Sequence, residues 1–219
     1  MALSKLPLRV DVVIFGVRAG ALQVLLWRRG EAPYKGHWSL PGGFVEKDEP
    51  LEDAARRVLR ETTGIREAVY VEQLYTFSEP AMDSRGPLVS VAWFGILSPA
   101  AHSPDGTFHP AADAPPLVFH HDRVLAKGVG RLRTKAEYST VPMRFLEEPF
   151  TLSELQGVYE ALLGRELDKR NFRRKVIALD VLEEVEGTRR EGAHRPARLY
   201  RVRKDQPYLL KERGVLFPF

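Results

Sequence analysis

The sequence predicts an α/β domain followed by a smaller domain built from two helices and a β-ribbon. Three observations support this prediction. Short β-branched segments and amphipathic helices share residues 1–147, a helix-capping sequence begins a pair of helices at Thr151, and two polar segments with strand-forming residues follow that pair. We therefore expect two domains, residues 1–147 and residues 148–219.

The first domain is expected to begin with a β-hairpin. Residues 10–16 (VDVVIFG) and 22–27 (LQVLLW) are apolar and rich in strand-forming residues, and Arg18-Ala19-Gly20 provides the turn between them. The Gly- and Pro-rich segment 30–44 (GEAPYKGHWSLPGGF) predicts a long loop. An amphipathic helix over about 50–63 follows, because apolar side chains recur there at helical spacing.

The remainder of the first domain is expected to contain further strands and a second helix. Strands are predicted at 69–77 and 88–97, with a shorter one at 116–119. Residues 98–116 are rich in Pro, Ala, Asp and His, which favours a loop. A helix over about 122–136 completes the domain.

The second domain has the element order of a winged helix-turn-helix. Thr151-Leu-Ser-Glu154 is a capping box that begins a helix over about 152–163. Asp168 is a suitable cap for a second helix over about 169–179. A ribbon of two β-competent segments follows, near 182–190 and 197–203.

Composition places the chain among soluble globular proteins. Hydrophobic residues make up 44% of its 219 residues, and the N-terminus lacks the layout of a secretory signal peptide. No apolar run reaches the roughly 18 residues of a membrane-spanning helix. The absence of cysteine excludes disulfides and thiolate metal ligands. These features predict a cytoplasmic location.

Positive charge is concentrated towards the C-terminus. Residues 151–219 hold 15 Lys+Arg against 11 Asp+Glu, whereas residues 1–150 hold 18 of each. Residues 151–219 therefore account for the whole formal net charge of +4. Such an asymmetry favours a polyanionic partner for the smaller domain, with a chance distribution as the alternative.

One segment of the first domain resembles the signature of the Nudix family, G-x5-E-x7-R-E-U-x-E-E-x-G-U, in which U is aliphatic. Seven of its nine fixed positions match, and the preceding HWSLPGGFVE is also typical of the family. The resemblance covers residues 8–137 and implies a Nudix α/β/α sandwich. The matching residues are Gly43, Glu49, Arg57, Leu59, Glu61, Gly64 and Ile65.

Two signature positions lack the acidic residues that the resemblance assigns to Mg²⁺ or Mn²⁺ binding. Val58 and Thr62 stand there instead. Mg²⁺ prefers carboxylate oxygens, and metal-assisted hydrolysis depends on the cation, so we expect weak or absent hydrolysis and no required cofactor. Residual signature positions are Glu46, Glu49, Arg57 and Glu61, of which Arg57 is expected to pair with a loop carboxylate such as Glu49. The alternative is that the three carboxylates bind one weak Mg²⁺ and support slow turnover.

Residues around the signature suit the binding of a nucleotide. Gly42 and Gly43 allow a ligand to approach the backbone closely. Arg28 and Arg29 suit a pyrophosphate, with a solvated surface as the alternative. Trp38 suits stacking on a base, with a core position as the alternative.

A second loop in the first domain also resembles a family motif. The segment EPAMDSRG at 79–86 is similar to the P-x-R-D-x-R-G loop of Nudix relatives that handle ADP-ribose and similar nucleoside diphosphates. Met82 replaces the first arginine of that motif. The resemblance implies a ligand role for Asp83 and Arg85, with a turn as the alternative for Arg85.

The second helix of the smaller domain carries residues suited to DNA. Phe172, Val176 and Leu179 are expected to face the preceding helix, with Ile177 beside them. Arg and Asn side chains on the remaining surface can read guanine and adenine in the major groove. The helix residues on that surface are Lys169, Arg170, Asn171, Arg173, Arg174 and Lys175. The ribbon arginines are expected to meet phosphates or the minor groove, and they are Arg189, Arg190, Arg195 and Arg198. A solvated basic surface is the alternative.

The segments 151–175 and 131–138 (RLRTKAEY) are similar to the NrtR family of Nudix-related transcriptional regulators of bacterial NAD metabolism. The resemblance covers essentially the whole chain. It implies a repressor that binds a palindromic double-stranded DNA operator as a homodimer and releases it when ADP-ribose or a similar nucleotide binds the Nudix-like domain. One alternative is a Nudix hydrolase of ADP-ribose-type nucleoside diphosphates with an accessory basic domain. Another is a catalytically inactive Nudix module that binds protein partners.

Overall fold

The computed structural model of the chain describes residues 6–66, 70–78, 86–97, 103, 105–189 and 196–204. The chain divides into two compact units, Met1–Gly16 with Leu22–Arg131, and Val17–Ala21 with Leu132–Phe219. The described residues contain no helix that is both long enough and apolar enough to cross a membrane.

A mixed sheet of seven strands forms the centre of the first unit. β1 (Leu8–Arg18) lies next to β2 (Ala21–Arg28) and pairs in parallel with β6 (Val89–Ile96), which pairs antiparallel with β5 (Tyr70–Phe77). The turn between β1 and β2 uses positive φ angles at Ala19 and Gly20, as the predicted hairpin requires. Three short strands extend the sheet: β3 (Trp38–Ser39) and β7 (Thr107–Pro110) pair with β2, and β4 (Gly42–Phe44) pairs with β1.

Two helices cover opposite faces of β1. α1 (Leu51–Thr63) packs Ala55 and Val58 into an apolar cluster with Val10 and Val12. α2 (His121–Tyr138) contacts the other face, where a Cβ on Gly128 would lie 3.0 Å from the side chains of Val13 and Phe15. Because successive strand residues point to opposite faces, one apolar strand supplies both layers. The predicted α/β sandwich is confirmed.

The second unit contains a pair of helices and a ribbon, as predicted. α3 (Leu152–Leu163) and α4 (Lys169–Ala178) are followed by the antiparallel strands β8 (Leu182–Arg189) and β9 (Ala197–Val202). The two helices pack through the buried rings of Tyr159 and Phe172, whose centroids are 5.4 Å apart. Burial raises the pKa of the Tyr159 hydroxyl, so this ring stays neutral in the core.

Three loop and strand predictions are wrong in part. The predicted loop over 30–44 contains β3 and β4, and the predicted loop over 98–116 contains β7 and a short 3-10 helix, Ala111–Asp113. The predicted strand over 116–119 is reduced to one bridge between Trp38 and Leu117. These segments pair with strands far away in the sequence, so no local pattern marks them.

The capping box at α3 offers a test of local stability. The Thr151 hydroxyl accepts a hydrogen bond from the Glu154 amide (3.1 Å), and the Thr151 amide donates to the Glu154 carboxylate (2.7 Å). We expect Thr151→Ala to lower the free energy of unfolding by about 1 kcal/mol in urea denaturation, because the helix loses its N-cap acceptor. Thr151→Ser keeps the hydroxyl and should retain most of the stability. Equal stability of the alanine variant and the wild type would contradict this role.

Candidate functional site

The guanidinium of Arg57 lies within 4 Å of all three carboxylates of the signature segment. Its nitrogens lie 2.7 and 2.8 Å from the two carboxylate oxygens of Glu49, 3.1 Å from Glu61 and 3.7 Å from Glu46. It also donates to the carbonyl of Phe44 (2.9 Å). The predicted pair between Arg57 and Glu49 is present, and it ties α1 to the segment after β4.

Hydrogen bonds make this pair resistant to acid. The Arg57 guanidinium, followed by the Glu46 amide, lowers the pKa of Glu49 to about 2. A carboxylate with a lowered pKa stabilises the fold above its unfolded pKa and loses that contribution as the pH falls through the folded value. The loop anchor should therefore persist from neutral pH down to about pH 2.

The two substituted signature positions do not supply metal ligands. Val58 is 2% exposed and belongs to the apolar cluster behind α1, and a Cβ on Gly43 would lie 2.8 Å from its Cγ2. Thr62 is half-buried and offers only a neutral hydroxyl. Among the described residues, no group of three or more His, Asp and Glu side chains is arranged to hold a metal ion. A buried valine and a hydroxyl do not fit a cation that requires carboxylate oxygens at these positions.

A buried cluster of charged and polar side chains lies behind β4. Asp11 accepts from Arg9 Nη2 (2.7 Å) and from Ser90 Oγ (2.5 Å), and its Oδ1 lies 3.2 Å from His121 Nε2 in a geometry too poor for a hydrogen bond. All four residues are at most 5% exposed. Burial alone raises the pKa of Asp11, but Arg9, His121 and Ser90 outweigh it and hold this pKa well below its usual range. Asp11 is therefore a carboxylate at any physiological pH.

His121 connects this cluster to the segment that enters β4. Its Nδ1 accepts from the Leu40 amide (3.0 Å) and lies 3.2 Å from Ser39 Oγ. Two residues further on, a Cβ on Gly42 would lie 2.1 Å from an Asp11 carboxylate oxygen. The packing of the fold therefore requires glycine at position 42 whether or not a ligand binds there, because β4 crosses directly over the buried Arg9–Asp11 ion pair. The sequence interpretation missed this cluster because Asp11 lies in an apolar strand and His121 is remote in sequence.

Breaking the buried ion pair is expected to destabilise the first unit. Asp11→Asn should leave the Arg9 guanidinium buried without a counter-charge and lower the free energy of unfolding by about 3–5 kcal/mol. Thermal and urea unfolding measure the effect. Asp53→Asn removes an exposed carboxylate of α1 and should change stability by no more than about 0.5 kcal/mol. Similar stability of the two variants would show that the buried charge pair is dispensable.

The predicted ligand side chains at the end of β2 and on β3 contact other residues of the first unit. Arg28 and Trp38 are cross-strand partners, and the exposed guanidinium lies 4.8 Å from the centre of the indole ring. The half-buried Trp38 ring also contacts His109 edge-on at 4.6 Å. Arg29 donates from Nε to the Pro33 carbonyl (2.7 Å). Arg28 is therefore exposed but lies against the Trp38 ring, whereas Arg29 holds the loop that follows it.

The residues just before α2 hold a strained backbone. Phe119 and His120 both have φ angles near +60°, at 59° and 58°. Consecutive non-glycine residues in this region cost roughly 1–3 kcal/mol each. The Phe119 ring offsets part of this cost through its neighbours, since Arg29 lies 4.8 Å, Arg9 5.3 Å and the Tyr34 ring 5.0 Å from its centre.

Four predicted site residues lie outside the described residues. They are Asp83 and Arg85, predicted to bind the ligand, and Arg190 and Arg195, predicted to bind DNA.

The structure divides the predicted DNA-contact residues of α4 into two groups. Arg170 is exposed and makes no ion pair or hydrogen bond with a described residue, and exposed Arg174 donates to the Asn171 side chain (2.9 Å). The half-buried Arg173 instead donates to Ser153 Oγ on α3 (3.1 Å). Of the two lysines, Lys169 is exposed and Lys175 is half-buried. The outward basic surface is thus smaller than predicted and centres on Arg170 and Arg174.

Two further residues have positions that the sequence did not predict. Arg189 Nη1 lies 2.5 Å from the Glu154 carboxylate and its Nη2 donates to the Pro149 carbonyl (2.9 Å), which ties the ribbon to the start of α3. Ile177, expected beside the buried surface, is 56% exposed. That expectation is wrong because Ile177 lies about 140° around the helix from Phe172, at 100° per residue.

Comparison with known proteins agrees with this arrangement. The sequence matches the NUDIX domain over residues 7–126 and the NrtR DNA-binding winged helix domain over residues 142–202. It is 39% identical over 203 residues to the ADPR responsive transcriptional repressor NtrR of Acinetobacter baylyi, covering 88% of this chain and 80% of that protein. The chain belongs to the NrtR family.

Solved structures of the NrtR family share the fold. The crystal structure of Shewanella oneidensis NrtR complexed with a 27mer DNA matches with a TM-score of 0.80 at 36% identity, over 96% of this chain and 97% of that one. The NUDIX domain of the same NrtR complexed with ADP ribose matches with a TM-score of 0.53 at 34% identity, over 59% of this chain and 90% of that one. The predicted family and the predicted order of a Nudix domain and a winged helix domain are confirmed.

Proposed function

We propose that this NrtR-family chain is a cytoplasmic transcriptional repressor that binds its operator as a homodimer and releases it when ADP-ribose or a similar nucleotide binds. Its targets on this proposal are genes of NAD metabolism. The observation that carries the proposal is the outward basic surface of α4, within a winged helix that follows a Nudix domain without metal ligands at two signature positions.

DNA binding is supported by the N-terminal part of α4. Arg170 and Arg174 are one turn apart on its exposed side, and Arg174 orients the Asn171 amide. Arginine can donate two hydrogen bonds to guanine and asparagine can pair with adenine in the major groove. A repressor from Acinetobacter baylyi and a DNA complex from Shewanella oneidensis are similar to this chain over most of its length, which supports the same role for α4.

Nucleotide binding without hydrolysis is supported by the residues of the signature segment. The Arg57 guanidinium is paired with the remaining carboxylates, and Val58 is buried. We propose that the nucleotide binds without a metal cofactor. Its proposed contacts are Arg28, Arg29, Trp38, Gly42, Gly43, Asp83 and Arg85. The ADP ribose complex of the related Shewanella oneidensis domain supports the class of ligand.

A homodimer follows from the symmetry of the proposed operator. A single α4 reads only a few base pairs, so specificity for one site in a genome requires two copies on two half-sites. Half-sites recognised by paired helices lie about one helical turn apart, roughly 34–36 Å. Small changes in the spacing of the two α4 helices are therefore sufficient to release the DNA.

The proposed route from ligand to DNA begins at His121. This residue accepts a hydrogen bond from Leu40 at the edge of the proposed ligand loop, and it is also the first residue of α2, which continues to Tyr138. The strained backbone at Phe119 and His120 precedes it. Strain of this kind is found at segments with two alternative arrangements. A ligand that displaces the loop should therefore move the start of α2.

Fluorescence anisotropy tests the proposed function directly. A labelled duplex from the protein's own upstream region is titrated with the full chain, and the complex is then titrated with ADP-ribose. We expect tight binding that ADP-ribose reverses, whereas AMP and ribose 5-phosphate at equal concentration do not reverse it. Binding that resists ADP-ribose would contradict the sensor role, and failure to bind any duplex would contradict the repressor role.

A further inference from the structure

An exposed isoleucine lies at the C-terminal end of the outward surface of α4. Ile177 is 56% exposed, which makes it the most exposed of the large hydrophobic residues in the described part of the chain. The adjacent Ala178 is also exposed. A single exposed apolar side chain is ordinary on a protein surface, so the significance of Ile177 depends on the residues beside it.

Helix geometry places Ile177 beside the two proposed base-reading arginines. Arg170, Arg174 and Ile177 are spaced i, i+4 and i+7, which puts them on one side of a helix. The buried residues Phe172 and Val176 lie on the other side. A duplex whose major groove holds α4 along its whole length therefore meets Ile177 as well as the two arginines.

The chemistry of the groove identifies the partner atom. An isoleucine side chain cannot hydrogen-bond to phosphates or to polar base edges, and it displaces water from them at a cost. In the major groove only thymine presents an apolar group, its C5-methyl, which apolar side chains contact. The duplex that best fits this surface therefore carries thymine opposite Ile177.

We propose that Ile177 is a specificity-determining residue that recognises the C5-methyl group of a thymine in each operator half-site. The proposal rests on the proposed DNA-binding function. Ile177 lies seven residues after Arg170, a distance of about 10 Å along the helix axis. At 3.4 Å per base pair, the thymine lies about three base pairs from the base that Arg170 reads.

Replacing thymine by deoxyuridine removes only the methyl group and tests this contact. A duplex bound by the wild-type chain is first selected from a random pool, and each thymine is then replaced in turn at symmetric positions of both half-sites. We expect one symmetric pair to lower affinity about fourfold per half-site, the effect of one lost buried methyl group of about 0.8 kcal/mol. Other thymine replacements should have smaller effects.

The variant Ile177→Ala completes a double-mutant cycle with this base change. It should lose affinity for the thymine duplex and lose almost nothing further on the deoxyuridine duplex, because the same contact is already missing. Arg170→Ala is the matched control and should weaken binding to both duplexes by the same factor. Because Ile177 is exposed, the variant should keep its fold, which circular dichroism checks.

Three outcomes would overturn the proposal. The first is a selected duplex in which no thymine-to-deoxyuridine replacement lowers affinity. The second is an Ile177→Ala variant that loses affinity equally on the thymine and deoxyuridine duplexes. The third is a variant that changes the oligomeric state in sedimentation, which would assign Ile177 to contact with a second copy of the chain. If the wild-type chain binds no duplex at all, the proposed function itself fails, and the two failures are thereby distinguished.

Discussion

Replacing Arg170 by alanine is expected to weaken operator binding by about 5- to 150-fold in each half-site. A bidentate contact between arginine and guanine is worth about 1–3 kcal/mol, and the loss is repeated in both halves of a palindrome. Arg174→Ala should have an effect of the same size, because it also frees the Asn171 side chain. Anisotropy titrations at one fixed salt concentration measure both losses, since affinity for DNA depends strongly on salt.

A matched control separates base contacts from general electrostatics. Arg60→Ala removes one exposed positive charge from α1 in the first unit and should change operator affinity by less than about twofold. ADP-ribose binding by Arg170→Ala should be unchanged, because α4 belongs to the other unit. If operator affinity falls equally in Arg60→Ala and Arg170→Ala, the effect is general electrostatics, and the proposed base contact of α4 is contradicted.

Val58→Glu is expected to destabilise the Nudix domain. Val58 is 2% exposed and packs against Gly43 in an apolar cluster. An unpaired carboxyl group there should lower the free energy of unfolding by about 2–4 kcal/mol. Burial raises the pKa of the introduced carboxyl, so the folded state binds more protons than the unfolded state. The loss of stability should therefore be larger at pH 8 than at pH 5.

Thr62→Glu is the matched control for this prediction. Thr62 is half-buried, so its replacement should change stability by less than about 1 kcal/mol. Urea denaturation at the two pH values measures both variants, and phosphate-product assays with Mg²⁺ monitor activity. A stable Val58→Glu variant that also hydrolyses ADP-ribose would show that position 58 faces an open metal site.

Helices with local signals were predictable from the sequence. The predicted and observed bounds of α3 agree, and its capping box is present with both hydrogen bonds. α1 and α4 agree with prediction to within one residue at each end. Capping residues and helical spacing act within a few residues of each other, so a single sequence carries the whole signal.

Features that depend on distant partners were not predictable. β3, β4 and β7 exist because β1 and β2 pair with them, and their own residues resemble a loop. The residues around Asp11 predict only an apolar strand, although Arg9, Ser90 and His121 surround its carboxylate. No local pattern reveals that a strand carboxylate will meet a histidine more than 100 residues later.

The sequence predicts the residue types of the proposed nucleotide site, but it predicts only some of the contacts that these residues make. The expected pair between Arg57 and a loop carboxylate is present, with Glu49 as the partner. The role of Gly42 in passing over the Asp11 carboxylate could not be foreseen, because it depends on a side chain from another strand. The contact roles of the remaining site residues stay predictions.

The most direct test of the account follows operator binding over time after one addition of ADP-ribose in the presence of Mg²⁺. A non-hydrolysing sensor releases the labelled operator, and the anisotropy should fall and then stay low for hours because the ligand persists. A hydrolase would convert ADP-ribose and water to AMP and ribose 5-phosphate, and the anisotropy would rise again as the ligand disappears. A sustained low signal is the predicted result, and a recovering signal would contradict the account.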